Sequence, residues 1–159
     1  MATATRKNTR GLRRARPHRV LVVIDEACPS HELCAAIRAS AAREPVEALV
    51  IAPAHGSPTT QWYVDEDAAR ADATHRLRGC VACLAGDGIR TSARLADPDP
   101  VLAIRDALHD FAADEIHLVT APQRPSGWLR PNVVERVRNS FRQPVKHVVV
   151  SPAHEEAPR

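Results

Sequence analysis

The sequence predicts an α/β fold: an open, doubly wound parallel sheet of five strands with helices on both faces. Apolar runs and helical segments alternate along the chain, and this order requires right-handed crossovers between parallel strands. Most apolar runs are continuous rather than alternating, as in strands that helices cover on both faces. The 159 residues, 44% of them hydrophobic, are enough to bury the core of one domain. The chain has no eightfold repetition of the kind that would indicate a barrel.

Two buried strands flank the first predicted helix. The run Arg19–Ile24 is continuous and apolar after its first residue, and Asp25 follows it. Residues 29–43 begin with a proline and a serine and are predicted to form a helix. Pro45 stops the chain before a second buried strand, Ala48–Ala52. The apolar face of the helix comprises Leu33, Ala36 and Ile37.

A long helix and an edge strand come next, after a polar, turn-rich segment. The helix is predicted for residues 65–85, with three acidic residues in its first turn, where the helix dipole favours them. The glycines at positions 86 and 88 end it. Residues 89–95 alternate weakly between apolar and polar side chains, which favours a strand at the edge of the sheet.

The last part of the chain is predicted to add two helices and two strands. Asp99 is the expected N-cap of a helix over residues 100–112, in which a proline takes the first position. A strand over 116–120, a helix over 133–141 and a strand over 145–150 complete the sheet. The apolar face of the helix after Asp99 comprises Val101, Ile104, Ala107 and Leu108.

Ligands of such sheets bind at the carboxyl ends of the strands, where the strand order reverses. Asp25 and the loop of residues 121–132 both lie at carboxyl ends. The loop contains one glycine, Gly127, and three prolines. The loops after the second and fourth strands also hold three aromatic residues, which are expected to cover the open end of the sheet or to stack on a ligand. These are Trp62, Tyr63 and Trp128.

The net charge of +3 is unevenly distributed. Seven of the 22 basic residues and none of the 19 acidic ones lie within residues 1–19, so the rest of the chain carries a charge of −4. We expect residues 1–18 to form a disordered basic arm, to result from an upstream start codon, or to bind RNA or a ribosome through phosphate contacts. The arm has no apolar core and is therefore not expected to be a secretory signal. Its candidate nucleic-acid-binding residues are Arg6, Lys7, Arg10, Arg13, Arg14 and Arg16.

Cys80 and Cys83 have the CxxC spacing of zinc and redox sites. They fall inside a helical pattern, however, and no second pair completes four ligands. We expect small apolar residues on a buried helix face and no bound metal. The four cysteines do not indicate a disulfide scaffold, so a reducing cytoplasm is expected. Residues 152–159 are expected to be a loose tail.

Residues 19–151 resemble the universal stress protein family, as a divergent member. The similar segments are RVLVVIDEACPS (19–30), ADPDPVLAIRDALHDFAADEIHLVT (96–120) and NVVERVRNSFRQPVKHVVV (132–150). The resemblance implies the strand order 3-2-1-4-5 and a homodimer paired through the last strand. It also places Asp25 near the adenine and ribose of a bound nucleotide.

The resemblance implies a degenerate phosphate site. Members that bind ATP carry Gly-x-x-Gly after the fourth strand and Gly-Ser or Gly-Thr at the start of the last helix, because glycines let backbone N–H groups approach phosphates. Here Ala121 and Arg124 match the first pair, and Pro131 and Asn132 match the second. Every glycine of the pattern is missing, Pro131 removes a donor, and Gly127 aligns with none of them.

What remains can still hold an anion. Asn132 is predicted to cap the last helix with Glu135 in a capping box, and Arg124 and Arg130 can bind an anion through their side chains. Alternatively, Asn132 and Glu135 only stabilise the end of the helix, and both arginines are solvated. Asp25 is then an ordinary polar residue after a strand. The predicted ligand-binding residues are Ile24, Asp25, Ala52, Ala121, Arg124, Gly127, Arg130, Asn132 and Val133.

The leading functional hypothesis is a non-enzymatic, stress-related cytoplasmic protein that binds AMP or ATP in this degenerate crevice, with a nucleoside or monophosphate favoured. No nucleophile elbow or metal set is present, and the eight histidines are scattered; His109 and His117 are expected to be surface or strand residues. The alternatives are RNA or ribosome association through the basic arm, and a nucleotide hydrolase or transferase that depends on Asp25.

Overall fold

A computed structural model of the chain describes residues 16–24, 31–41, 44–53, 66–120 and 131–150. These residues form five strands and four helices in strict alternation, as the sequence predicts. The strands are β1 (His18–Ile24), β2 (Val46–Pro53), β3 (Arg90–Ala96), β4 (Glu115–Thr120) and β5 (Val145–Val149). The helices are α1 (His31–Ala41), α2 (Glu66–Gly86), α3 (Pro100–Asp110) and α4 (Pro131–Ser140).

The five strands form one parallel sheet in the order β3-β2-β1-β4-β5. The predicted fold class and strand order are therefore confirmed. In the centre of the sheet, Val20 of β1 pairs with Ala48 of β2 on one side and with Glu115 of β4 on the other. The strand over residues 90–96 lies at the edge, as its weak alternation predicts.

The sheet separates two hydrophobic cores, and β1 contributes to both. Val20, Val22 and Ile24 face α1 and α2, whereas Leu21 and Val23 face α3 and α4. All five side chains are fully buried. A strand covered on both faces must be apolar at every position, which explains the continuous run in the sequence.

The predicted helix ends are largely confirmed. Asp99 caps α3, because its side chain accepts hydrogen bonds from the backbone N–H groups of Val101 at 2.9 Å and Leu102 at 3.1 Å. Beyond α2, Gly88 has a φ of 79° and closes a Schellman-type turn, in which its N–H donates a hydrogen bond to the carbonyl of Ala85. No helix within the described ranges is long and apolar enough to cross a membrane.

Two of the helix boundaries that differ from the sequence prediction have a clear physical reason. The third helix ends at Asp110 rather than at residue 112, because Phe111 has an extended backbone (φ −127°, ψ 102°). The fourth helix begins at Pro131, so Asn132 lies in its first turn and the predicted cap at Asn132 is wrong. Proline suits the first helical position, since its fixed φ fits the helix and its missing N–H needs no partner there.

Candidate functional site

The strand order reverses between β1 and β4, which lie side by side in the centre of the sheet. The helix that follows β1 packs on one face, and the helix that follows β4 packs on the other. Ligands of such sheets bind at the carboxyl ends of the two strands at such a reversal, so the candidate crevice lies at the ends of β1 and β4. Ile24, paired with Val119, and Thr120 form the described part of this edge.

The structure places four of the predicted ligand-binding residues around this edge. Ile24 is the last residue of β1, Ala52 is the last but one of the neighbouring β2, and both lie in the same core cluster. Val133 lies in the cluster on the other face. All three side chains are buried in the hydrophobic cores. Asn132 is exposed at the start of α4. Five others lie outside the described residues: Asp25, Ala121, Arg124, Gly127 and Arg130.

The amino end of α4 lies at the same edge of the sheet, since a crossover helix runs antiparallel to the strands it connects. The first backbone N–H groups of a helix have no partner within it, and the helix dipole adds positive potential there. Pro131 contributes no N–H, so the available donors begin at Asn132. This end of the helix can receive a small anion.

A polar pair not anticipated from the sequence lies near this edge on β4 and β5. The Thr120 hydroxyl and His147 Nε2 are 2.7 Å apart and exposed. The two residues lie 27 positions apart in the chain, so only their adjacent strands bring them together. Thr120 is the last residue of β4 and so lies at the carboxyl edge of the sheet.

A second polar cluster lies at the opposite, amino-terminal edge of the sheet. Glu115 Oε1 is 2.8 Å from His117 Nε2 and 3.4 Å from His18 Nε2, and Glu115 Oε2 is 3.4 Å from the Lys146 ammonium. Ser40 at the end of α1 accepts a hydrogen bond from Lys146. This carboxylate therefore ties β1, β4, β5 and α1 together beneath one end of the sheet.

His117 is a strand residue, as expected, but it is fully buried and not at the surface. It faces the α1 side of the sheet two residues after Glu115, and its Nδ1 has no hydrogen-bond partner among the described residues. His109, by contrast, is exposed on α3. The signal in the sequence was the Glu115-x-His117 spacing, which places both side chains on one face of a strand.

The surroundings of Glu115 stabilise its charged form. Burial by itself raises the pKa of this carboxyl group. The hydrogen bond and electrostatic interaction with His117, the Ser40 hydroxyl and the Lys146 ammonium outweigh burial and lower the pKa to about 2. Glu115 thus stays ionised, which fits a structural ion-pair cluster rather than an acid that donates a proton.

Two arginines anchor the start of β1: Arg16, which belongs to the predicted basic arm, and Arg19, which follows it. Arg16 contacts the carbonyl of Ala112 at 3.2 Å and Asp114 Oδ1 at 3.3 Å. Arg19 Nε is 3.3 Å from Glu47, and its guanidinium lies 5.5 Å from the centre of the Phe111 ring. Arg16 is therefore attached to the domain, and the other candidate arm residues lie outside the described part of the chain.

The cysteines of the CxxC motif have different environments. Cys80 is fully buried in the core between α2 and the sheet, which agrees with the prediction of a small apolar residue. Cys83 is half-buried, and its sulfur faces Cys34 of α1. Within the ranges that the structure describes, no group of three histidine, cysteine or acidic side chains can hold a metal ion.

Three solved structures are similar to this chain over most of its length. A universal stress protein from Archaeoglobus fulgidus has a TM-score of 0.57 and 18% identity, covering 82% of this chain and 93% of its own. The same organism's protein in complex with dAMP has a TM-score of 0.53 and 20% identity, covering 82% and 97%. A protein of this family from Burkholderia pseudomallei has a TM-score of 0.52 and 20% identity, covering 80% and 93%.

No protein-family model and no curated protein matches the sequence. At 18–20% identity, the structural matches show the fold. The chain has the five-stranded fold of the universal stress proteins.

Proposed function

We propose that this chain is a non-enzymatic, stress-related cytoplasmic protein of universal-stress-protein type that binds an adenine mononucleotide between β1 and β4. The observation that carries the proposal is the meeting of the carboxyl ends of β1 and β4 with the amino end of α4. The dAMP complex of a protein with the same fold supports an adenine nucleotide as the ligand.

A monophosphate fits the available groups better than a triphosphate does. Pro131 at the start of α4 offers no N–H, and the sequence lacks the glycines that would wrap a phosphate chain. One phosphate can be held by the amino end of α4 together with the side chains of Arg124 and Arg130. In this proposal Asp25 binds the ribose hydroxyl groups at the end of β1.

Thermal unfolding of the full chain with AMP, dAMP, ADP, ATP and cyclic AMP tests the proposal. A ligand at one hundred times its dissociation constant stabilises a protein by about 2.7 kcal/mol, a shift of several degrees at this size. We expect AMP and dAMP to give the largest shift and Asp25→Ala to remove it. The matched control is Asp106→Ala, which removes an exposed carboxylate from α3. No shift with any nucleotide refutes the proposal.

The arginines are tested separately. Arg130→Ala should weaken AMP binding about tenfold or more while leaving adenosine binding nearly unchanged, because only AMP carries the phosphate. Arg136→Ala removes an exposed arginine from α4 and serves as the control. Equal losses for AMP and adenosine would contradict a phosphate contact.

The absence of turnover is part of the proposal and has its own measurement. Incubation of the full chain with ATP and Mg²⁺ should release no more phosphate than buffer alone. Phosphate release that disappears in Asp25→Ala would support the alternative of a nucleotide hydrolase and refute a purely binding role.

A homodimer paired through β5 is also proposed. This strand is at the edge of the sheet, and Val149 on it is 49% exposed. A second copy that pairs with this edge would satisfy its backbone groups and cover the valine. Light scattering after gel filtration should give twice the monomer mass, and Val149→Lys should shift the protein to the monomer. Leu102→Lys changes a similarly exposed side chain on α3 and should have no effect.

RNA binding through the arm is the second candidate function. It is favoured by seven basic residues and no acidic one within residues 1–19. Arg16 and Arg19 form ion pairs with the domain. Deleting residues 1–15 therefore removes the rest of the arm and keeps these contacts. RNA affinity should fall steeply with salt and disappear on this deletion, with AMP binding retained. Equal RNA affinity of both chains would refute it.

A further inference from the structure

We propose that Cys34 and Cys83 are a site of reversible oxidative modification, at which a hydroperoxide joins α1 and α2 by a disulfide bond. The proposal does not depend on nucleotide binding. It assigns a role to a half-buried sulfur that the CxxC motif does not explain.

The packing of the two helices sets the geometry. The Sγ atoms of Cys34 and Cys83 are 4.0 Å apart. One helical turn further along both segments, Arg38 donates a hydrogen bond to the backbone carbonyl of Asp87, with the same separation of 49 residues. Two contacts with one offset fix the register of α1 against α2. A disulfide requires a sulfur–sulfur distance of about 2.0 Å, so in this proposal the two side chains rotate to bring their sulfurs from contact distance to bonding distance.

The two thiols differ in solvent access, so each takes a different step of the oxidation. Cys83 is half-buried and within reach of a small peroxide, whereas Cys34 is buried. Burial, together with a hydrogen bond to Asp87 and the neighbouring Cys83, raises the pKa of the Cys34 thiol well above its ordinary value. Cys83 is therefore the sulfur that reacts first, and Cys34 is the one that resolves the intermediate.

The reaction balances with a hydroperoxide as the oxidant. The Cys83 thiolate attacks one oxygen of the hydroperoxide, so that the O–O bond breaks and the S–O bond of a sulfenic acid forms. The other oxygen takes up the proton that the thiol released and leaves as an alcohol or water. The Cys34 sulfur then attacks the sulfenic sulfur. The S–O bond breaks, the S–S bond forms, and the hydroxyl group leaves as water with the Cys34 proton. A thiol reductant reverses the modification by exchange.

Peptide mapping of the full chain tests the proposal directly. The protein is treated with hydrogen peroxide, its remaining thiols are alkylated, and it is digested without reduction. Trypsin alone leaves Cys28 with Cys34 and Cys80 with Cys83, so cleavage after Glu32 by a glutamate-specific protease is added. We expect residues 33–38 to be linked to residues 79–90, two of the four thiols to be lost, and dithiothreitol to restore both.

Matched variants identify the sulfur within residues 79–90. Cys80→Ala should retain the link, and Cys83→Ser, at a half-buried position, should abolish it; circular dichroism verifies that both are folded. Retention of all four thiols in the peroxide-treated wild type, a link between Cys80 and Cys83, or a link through Cys28 would each overturn the proposal.

Discussion

Asp114 and Arg19 are joined by two reciprocal hydrogen bonds. The Arg19 backbone N–H donates to Asp114 Oδ2 at 2.8 Å, and the Asp114 N–H donates to the Arg19 carbonyl at 2.8 Å. Arg16 contacts the other carboxylate oxygen at 3.3 Å, and His18 Nδ1 lies 3.8 Å from Oδ2. One side chain therefore fixes the start of β1 to the turn before β4, across 95 residues of sequence.

Replacement of Asp114 should destabilise the fold more than loss of an ordinary surface ion pair. Asp114→Ala leaves a partly buried N–H without its charged acceptor, so we expect the free energy of unfolding to fall by about 1–3 kcal/mol in urea denaturation. The control is Asp110→Ala, which breaks an exposed pair with Arg94 at 3.0 Å and should cost less than about 1 kcal/mol. Equal losses would contradict the anchoring role of Asp114.

Stability should decline in acid through Glu115. The pKa of this carboxyl group is about 2 in the folded chain and near 4.5 when unfolded, so its carboxylate stabilises the fold above about pH 4.5. That contribution is lost as the pH falls from 4.5 towards 2, and at about 1.4 kcal/mol per unit it amounts to roughly 3 kcal/mol.

Unfolding measured between pH 2 and 6 distinguishes this effect. The difference in stability between wild type and Glu115→Gln should shrink as the pH falls, because the wild-type group becomes neutral too. Glu135→Gln, which alters an exposed carboxylate on α4, should follow the wild type throughout. A pH-independent difference for the Glu115 variant would rule out the predicted shift.

The N-cap of α3 offers a local prediction. Asp99→Ala removes the acceptor of two backbone N–H groups and should lower the free energy of unfolding by about 1 kcal/mol. Asp99→Ser retains an acceptor and should restore most of it. Chemical denaturation measures both, and a serine variant as unstable as the alanine variant would show that the cap is not responsible.

The two glycines at the end of α2 should respond in opposite directions to alanine. Neither has a heavy atom within 4 Å of an added Cβ, so backbone conformation alone decides. Gly88 has a φ of 79°, and Gly88→Ala should cost about 1 kcal/mol or more. Gly86 is the last helical residue, and Gly86→Ala should stabilise the protein by a few tenths to about 1 kcal/mol. Thermal unfolding of both variants checks the signs.

Much of the fold was predictable because its signals are local. The continuous run from Val20 to Ile24 indicates a strand buried on both faces, and Asp99 followed by a proline marks a helix start. The alternation of strands and helices determines a parallel sheet, since only crossover helices connect such strands. The sequence alone also locates the candidate crevice at the carboxyl ends, where Ile24 and Ala52 lie.

The tertiary structure decided which polar and sulfur-containing side chains meet. His117 lies on a strand, as expected, but it is buried on the α1 side against Glu115 because β4 is an interior strand of the sheet. Cys83 was considered with its neighbour Cys80, yet its sulfur faces Cys34, 49 residues away. Helix and strand periodicity fixes which face a side chain takes within its own element. Its partners depend on how distant elements pack, and no local pattern contains that information.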